Sequence, residues 1–255
     1  MKFLTTIVLL CAGTTQALAS ENILIKMQSP QSKQERLAAE EIRQSNINTL
    51  LIDLSERTFP FSKTLNIYYG GDEGPLYDPN AHTIYIPYQF YIESHHHFAR
   101  NDYEKKYGKS AKDGAIDTLL HTLLHEAGHA YISDQNIPVL GKEEDAVDNF
   151  ASIVLLNYVD SGDDIAISAA DMFAFESDNR PDYYDFGEYI DEHSFDLQRY
   201  FSTLCLVYGS DPEKYDYLLN EVEKDYLKDR KDFCVSNFDV INENWHFHLE
   251  TTNQK

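Results

Sequence analysis

His125-Glu126-Ala127-Gly128-His129 sets two imidazoles four residues apart, with a carboxylate beside the first. On a helix, positions i and i+4 share one face, so both rings reach a single ion together. Neutral imidazole nitrogens suit zinc in tetrahedral coordination. Glu126 then lies near the open coordination position without having to occupy it. From there it takes a proton from a zinc-bound water, whose pKa the metal lowers to about 7, and hands it to a leaving amine. The chemistry implied is hydrolysis of an amide.

Such a centre needs a third protein ligand. Glu143, Glu144, Asp145 and Asp148 open the next predicted helix, and 14 residues separate His129 from Glu144. That length finishes one helix, turns, and brings a second alongside. Glu144 and Asp148 are again i and i+4. Glu144 is the candidate ligand, with Glu143 and Asp148 as alternatives. Asp148 is placed to accept the N–H of a ligand histidine and fix its tautomer. Acids at a helix start also serve the helix dipole, whatever else they do.

The elements that must position these groups follow from pattern. Asp117 to Ser133 carries Leu119, Leu120, Leu123, Leu124, Ala127 and Ile132, which predicts a helix around the motif. A second helix is expected from about Lys142 to Val159. Further helices are expected around Ala166 to Phe175, Phe195 to Tyr208, and Pro212 to Leu227. Towards the N-terminus, Ile23 to Ile25, Leu65 to Tyr69 and Thr83 to Ile86 read as strands, and Ser32 to Ser55 as a helix or helix pair. The expectation is an α+β fold: a small antiparallel N-terminal sheet packed on the motif helix, then a mostly helical half. Thr83 to Ile86, ended by Pro87, is the candidate exposed edge along which an extended peptide would pair.

Residues 1–19 have the layout of a signal peptide: Lys2, an apolar run from Phe3 to Gly13, and Ala17-Leu18-Ala19 as a cleavage site. The remaining 20–255 are expected to form one domain, secreted or periplasmic, with no stable membrane insertion. In that oxidising compartment Cys205 and Cys234 are expected to pair, closing a loop of about 30 residues. The chain is 42% apolar and 13% aromatic, enough for a sizeable core, and carries a net charge of −22. Nucleic-acid backbones would repel it.

The E-x-x-x-D spacing after H-E-x-x-H resembles the gluzincin clan of zinc peptidases. More closely, His125 to Ala130, Ile137 to Asp148 and Glu192 to Phe201, together with the two cysteines, are similar to a bacterial metallopeptidase-like family known as domain of unknown function 4344. The likeness spans most of the mature chain. It implies a metallopeptidase-like fold, zinc and a peptide or protein substrate, but brings no particular substrate. Gluzincins generally stabilise the oxyanion with a histidine or tyrosine from a later helix, which makes His193 a catalytic candidate beside Glu126. Tyr183, Tyr184 and Tyr189 are other candidates for that role. His121 reads as a helix-face residue, His95 to His97 as a solvated stretch, and His246 and His248 as edge or tail residues. Two other readings remain open: a non-catalytic zinc-containing binding protein, and a zinc hydrolase acting on another amide.

Overall fold

The structure, a computed structural model, describes residues 22–178 and 184–252. The expected signal peptide, residues 1–19, and Tyr183 lie outside them. Strand β1 (Ile23–Met27) is followed by helices α1 (Lys33–Gln44) and α2 (Ile47–Thr58), then β2 (Leu65–Tyr69), β3 (Leu76–Asp78) and β4 (Thr83–Ile86). Helices α3 (Tyr88–Arg100), α4 (Tyr103–Tyr107), α5 (Ala111–Gln135), α6 (Glu143–Tyr158), α7 (Gly162–Ser177), α8 (Asp196–Ser210) and α9 (Lys224–Thr252) complete the chain. The α+β class is as expected.

The sheet is mixed, in the order β1-β2-β4-β3, and this corrects the antiparallel expectation. β1 pairs with β2 and β2 with β4, both in parallel; only β3 runs antiparallel, on β4. The connections explain it. Two helices lie between β1 and β2, a crossover long enough for parallel pairing, whereas β3 folds back on β4 through a short turn. β4 is therefore interior, and β3 is the edge. Gly74, at φ +105, makes that edge possible: a Cβ there would meet the Tyr85 carbonyl oxygen at 2.4 Å.

Alternation along β2 buries Leu65, Ile67 and Tyr69 and turns the intervening residues outward, so one sheet face meets the helices. Helix α5 is the hub. Ser110 caps it by accepting from the Asp113 N–H, and Asn136, at φ +53, ends it in the left-handed conformation that asparagine tolerates. Its apolar residues are spread around the whole circumference, as in a helix packed on several sides. It contacts α3, α6 and α7. Phe59, Phe150 and Trp245 lock α2, α6 and α9 together edge to face, with centroids 5.2 and 4.9 Å apart.

Two helical expectations change. Residues 212–222 form successive tight turns, with bonds such as Leu218 N–H to Tyr215 O and Val222 N–H to Leu219 O, instead of a continuous helix. Helix α9 begins only at Lys224 and runs for 29 residues, taking in His246 and His248. The Cys205–Cys234 disulfide ties α8 to α9.

Candidate metal centre and active site

The motif helix and the acidic helix meet face to face at Gly128. A Cβ on that residue would lie 3.0 Å from both Phe150 and Val147 of α6, so glycine lets the backbones close in. The approach brings Glu144 over the two histidines. His125 Nε2 lies 3.1 Å from one carboxylate oxygen of Glu144, and His129 Nε2 lies 3.4 Å from the other. Ligand atoms of these three residues all fall within 4.8 Å of one another. Donors about 2.0–2.1 Å from a tetrahedral ion sit roughly 3.4 Å apart, so the spacing fits zinc. A further observation agrees. Glu144 Oε2 is buried and, although two imidazole nitrogens are near it, neither contact has hydrogen-bond geometry. A buried carboxylate oxygen in that condition suits a cation.

The ring nitrogens facing away from this point are engaged. Asp148 Oδ1 lies 2.7 Å from His125 Nδ1, and Glu143 Oε1 lies 2.8 Å from His129 Nδ1. Both contacts favour the tautomer that leaves Nε2 free to bind metal. Glu143, an alternative ligand in the sequence, thus sits on the outer side of His129. Asp148 also accepts two bonds from Arg199, Nε at 2.8 Å and a terminal nitrogen at 2.9 Å.

Electrostatics follow this layout. Burial pushes the Glu144 carboxyl up, but the imidazoles of His125, His129 and His193 outweigh it and hold it far below the usual range. Asp148 is likewise depressed, with Arg199 and then His125 overcoming its burial. For His125, burial works against the charged ring, yet Asp148 and Glu144 raise its pKa to about 9. The Glu126 carboxyl moves opposite to those of Glu144 and Asp148. Burial raises it despite the pull of His125 and His129.

His193 does not stand on a helix. It lies in the loop before α8, half exposed, with Nε2 2.9 Å from Glu144 Oε2. Lys142 Nζ donates to the Asp191 and His193 carbonyls, at 2.9 and 3.0 Å, and so pins that loop to the start of α6. Tyr184 and Tyr189 pack instead around Phe195. His95 to His97 fall in α3, outside the His125, His129 and Glu144 group, and the His246 Nδ1–H donates to the Asn242 carbonyl within α9. Among the described residues, the only group of three or more side chains with metal-ligand spacing is His125, His129 and Glu144.

A cleft of about 780 Å³ opens over these groups, within the range for substrate sites. Its walls come from the β3 edge (Pro75, Leu76, Tyr77), from α5, and from the His193 loop. Sequence reasoning missed β3, Lys142 and the positioning role of Arg199. The signal for Arg199 was weak, since an arginine 51 residues from Asp148 has no local pattern to betray the pair.

No curated protein and no solved structure matches the chain. The family DUF4344, described as "Putative metallopeptidase", matches residues 27–249, a span that holds every group of the site together with Cys205 and Cys234, and the chain belongs to that family.

Proposed function

We propose that the protein is an exported zinc-dependent peptidase that uses Glu126 as its general base. The observation that carries this reading is the convergence of His125 Nε2, His129 Nε2 and the Glu144 carboxylate beside a buried Glu126, at the floor of a substrate-sized cleft. His125, His129 and Glu144 would hold the ion. Zinc there supplies Lewis acidity, which polarises a substrate carbonyl and brings the pKa of water to about 7.

The remaining work falls to the chain. Asp148, braced by Arg199, and Glu143 keep the two rings oriented. Glu126 takes the water's proton and returns it to the leaving nitrogen. His193, whose Nε2 lies 2.9 Å from Glu144 Oε2, would stabilise the developing oxyanion. An extended substrate pairs along β3, whose outer side is the open edge of the sheet. This replaces β4, which is hydrogen-bonded on both sides. Export rests on the N-terminal pattern and on the Cys205–Cys234 pairing.

The test compares wild type with Glu126→Gln for zinc stoichiometry and for cleavage of a peptide library. Zinc retained with turnover reduced about 10²- to 10⁴-fold supports the assignment. Undiminished cleavage by the variant removes it. Zinc bound with no cleavage by either protein favours a metal-containing binding protein.

A further inference from the structure

Beside Glu126 the cleft continues into a recess of about 160 Å³. Pro75, His125, Glu126 and His193 line both spaces, so a molecule lying across the zinc ligands has direct access to it. The volume suits a single amino-acid side chain and falls below that of an independent small-molecule site, about 300–1,000 Å³. Helix α5 contributes Thr118 and His121, α7 contributes Phe173 and Glu176, and Phe90 of α3 closes one side.

Two buried polar atoms bordering this recess lack partners. His121 is 2% exposed, yet its Nε2 makes no hydrogen bond among the described residues, and the same holds for Oγ1 of Thr118 at 5% exposed. Buried polar atoms are nearly always paired, so two orphans bordering one recess point to an occupant that pairs them. Glu176, an exposed residue that also lines the recess, accepts no hydrogen bond from another described residue. Partial loss of solvent around the carboxyl and then the like charge of Asp196 raise its pKa to about 7, against the pull of Arg199. Burial keeps His121 neutral, with a pKa lowered to about 4. Arg199 offers the recess little unbalanced charge, because both oxygens of Asp148 hold it and its guanidinium lies over the Phe173 ring, 4.0 Å from the centroid.

We propose that this recess is the specificity pocket for one of the two residues flanking the scissile bond, and that it takes a lysine or arginine side chain. The assignment rests on the peptidase reading above. The apolar stem lies along Phe90 and Phe173. The cation meets the Glu176 carboxylate and donates to Thr118 Oγ1 and to His121 Nε2, in the tautomer protonated on Nδ1. Apolar side chains leave those acceptors unpaired, and acidic ones face Glu176 directly. Glu143, Asp191 and Glu192, on the cleft walls, add charge of the same sign and steer basic peptides inward.

Two measurements test it. In the first, the zinc-loaded full chain digests a mixed peptide library and the cut sites are sequenced. Lysine or arginine should be enriched at least about tenfold at one flanking position. Glu176→Gln should bring that enrichment below about twofold, and Glu176→Lys should turn the preference towards acidic side chains. Cleavage with no basic preference overturns the pocket assignment and leaves the peptidase reading standing. The second needs no turnover: N-acetyl-lysinamide and N-acetyl-norleucinamide are titrated into the zinc-loaded protein and followed by NMR. Tighter binding of the lysine derivative, lost in Glu176→Gln, upholds the pocket even if no peptide is cut, in which case only the peptidase reading fails. Equal binding of the two overturns it.

Discussion

The Asp148 carboxylate joins His125 to Arg199: Oδ1 lies 2.7 Å from His125 Nδ1, while the guanidinium reaches both oxygens at 2.8 and 2.9 Å. The contact ties His125 on α5, through Asp148 on α6, to Arg199 on α8, 51 positions beyond Asp148. Orientation of the His125 ring therefore depends on the packing of three helices.

Asp148→Asn keeps an acceptor for His125 but abolishes the charge pair. Zinc affinity, measured by chelator competition, should fall about 10- to 100-fold. Arg199 and Asp148 are only 16% and 12% exposed, so stranding the guanidinium should also cost about 3–5 kcal/mol in urea unfolding. Affinity within twofold of wild type would show that Asp148 does not orient the ring.

Gly128→Val tests the helix contact that delivers Glu144. The added branches have no room against Phe150 and Val147, and overpacking of this kind costs about 1–3 kcal/mol. With α6 pushed outward, zinc content should drop while circular dichroism still reports a helical protein. Full zinc occupancy in the variant would mean that the close approach is dispensable.

A pH effect is expected away from the candidate metal centre. Burial raises the Asp171 pKa to about 6 even though the Tyr103 hydroxyl donates to it at 2.6 Å; Glu221 pushes in the same direction as burial. Its unfolded value is about 3.9. The folded chain thus holds this proton more tightly, and the group's contribution to stability, complete below about pH 4, is lost as pH rises through 6. The loss is at most about 3 kcal/mol, reduced by partial solvent screening. Asp171→Asn keeps an acceptor for Tyr103 and removes the titration. Metal-free urea curves should coincide near pH 4 and show the variant more stable at pH 7.5; parallel curves at both pH values would rule the effect out.

The Cys205–Cys234 bridge spans 29 positions and, from loop closure alone, should contribute about 3–4 kcal/mol. Cys205→Ser with Cys234→Ser should lower the urea midpoint accordingly, with zinc stoichiometry unchanged at 25 °C. Loss of zinc in the folded variant would show that the bridge supports the site as well as the α8–α9 packing.

The site was legible where chemistry and periodicity coincide. His125, Glu126 and His129 lie on a helix whose apolar residues announce it, and the 14-residue interval allows α6 to return alongside. Strand β2 was equally plain from its alternation. β3 was hidden because three residues cannot display a period, and the flanking Gly74 and Pro75 read as loop. α3 carries Tyr88, Tyr91, Ile92 and Phe98 at helical spacing, but three consecutive histidines broke the polar–apolar contrast. α9 buries few large residues, chiefly Trp245 and Leu249, so its length left a faint trace. Residues 212–222 show the opposite case: Tyr215 and Leu219 are four apart and both buried, yet the chain between them turns tightly.

Three residues of β3 extend only about 10 Å. A backbone rail that short can register two or three residues of a threaded chain and no more. Longer sequence preferences have no template on this wall, so discrimination among polypeptides is left to whatever side chains can be inserted sideways, next to the bond being cut.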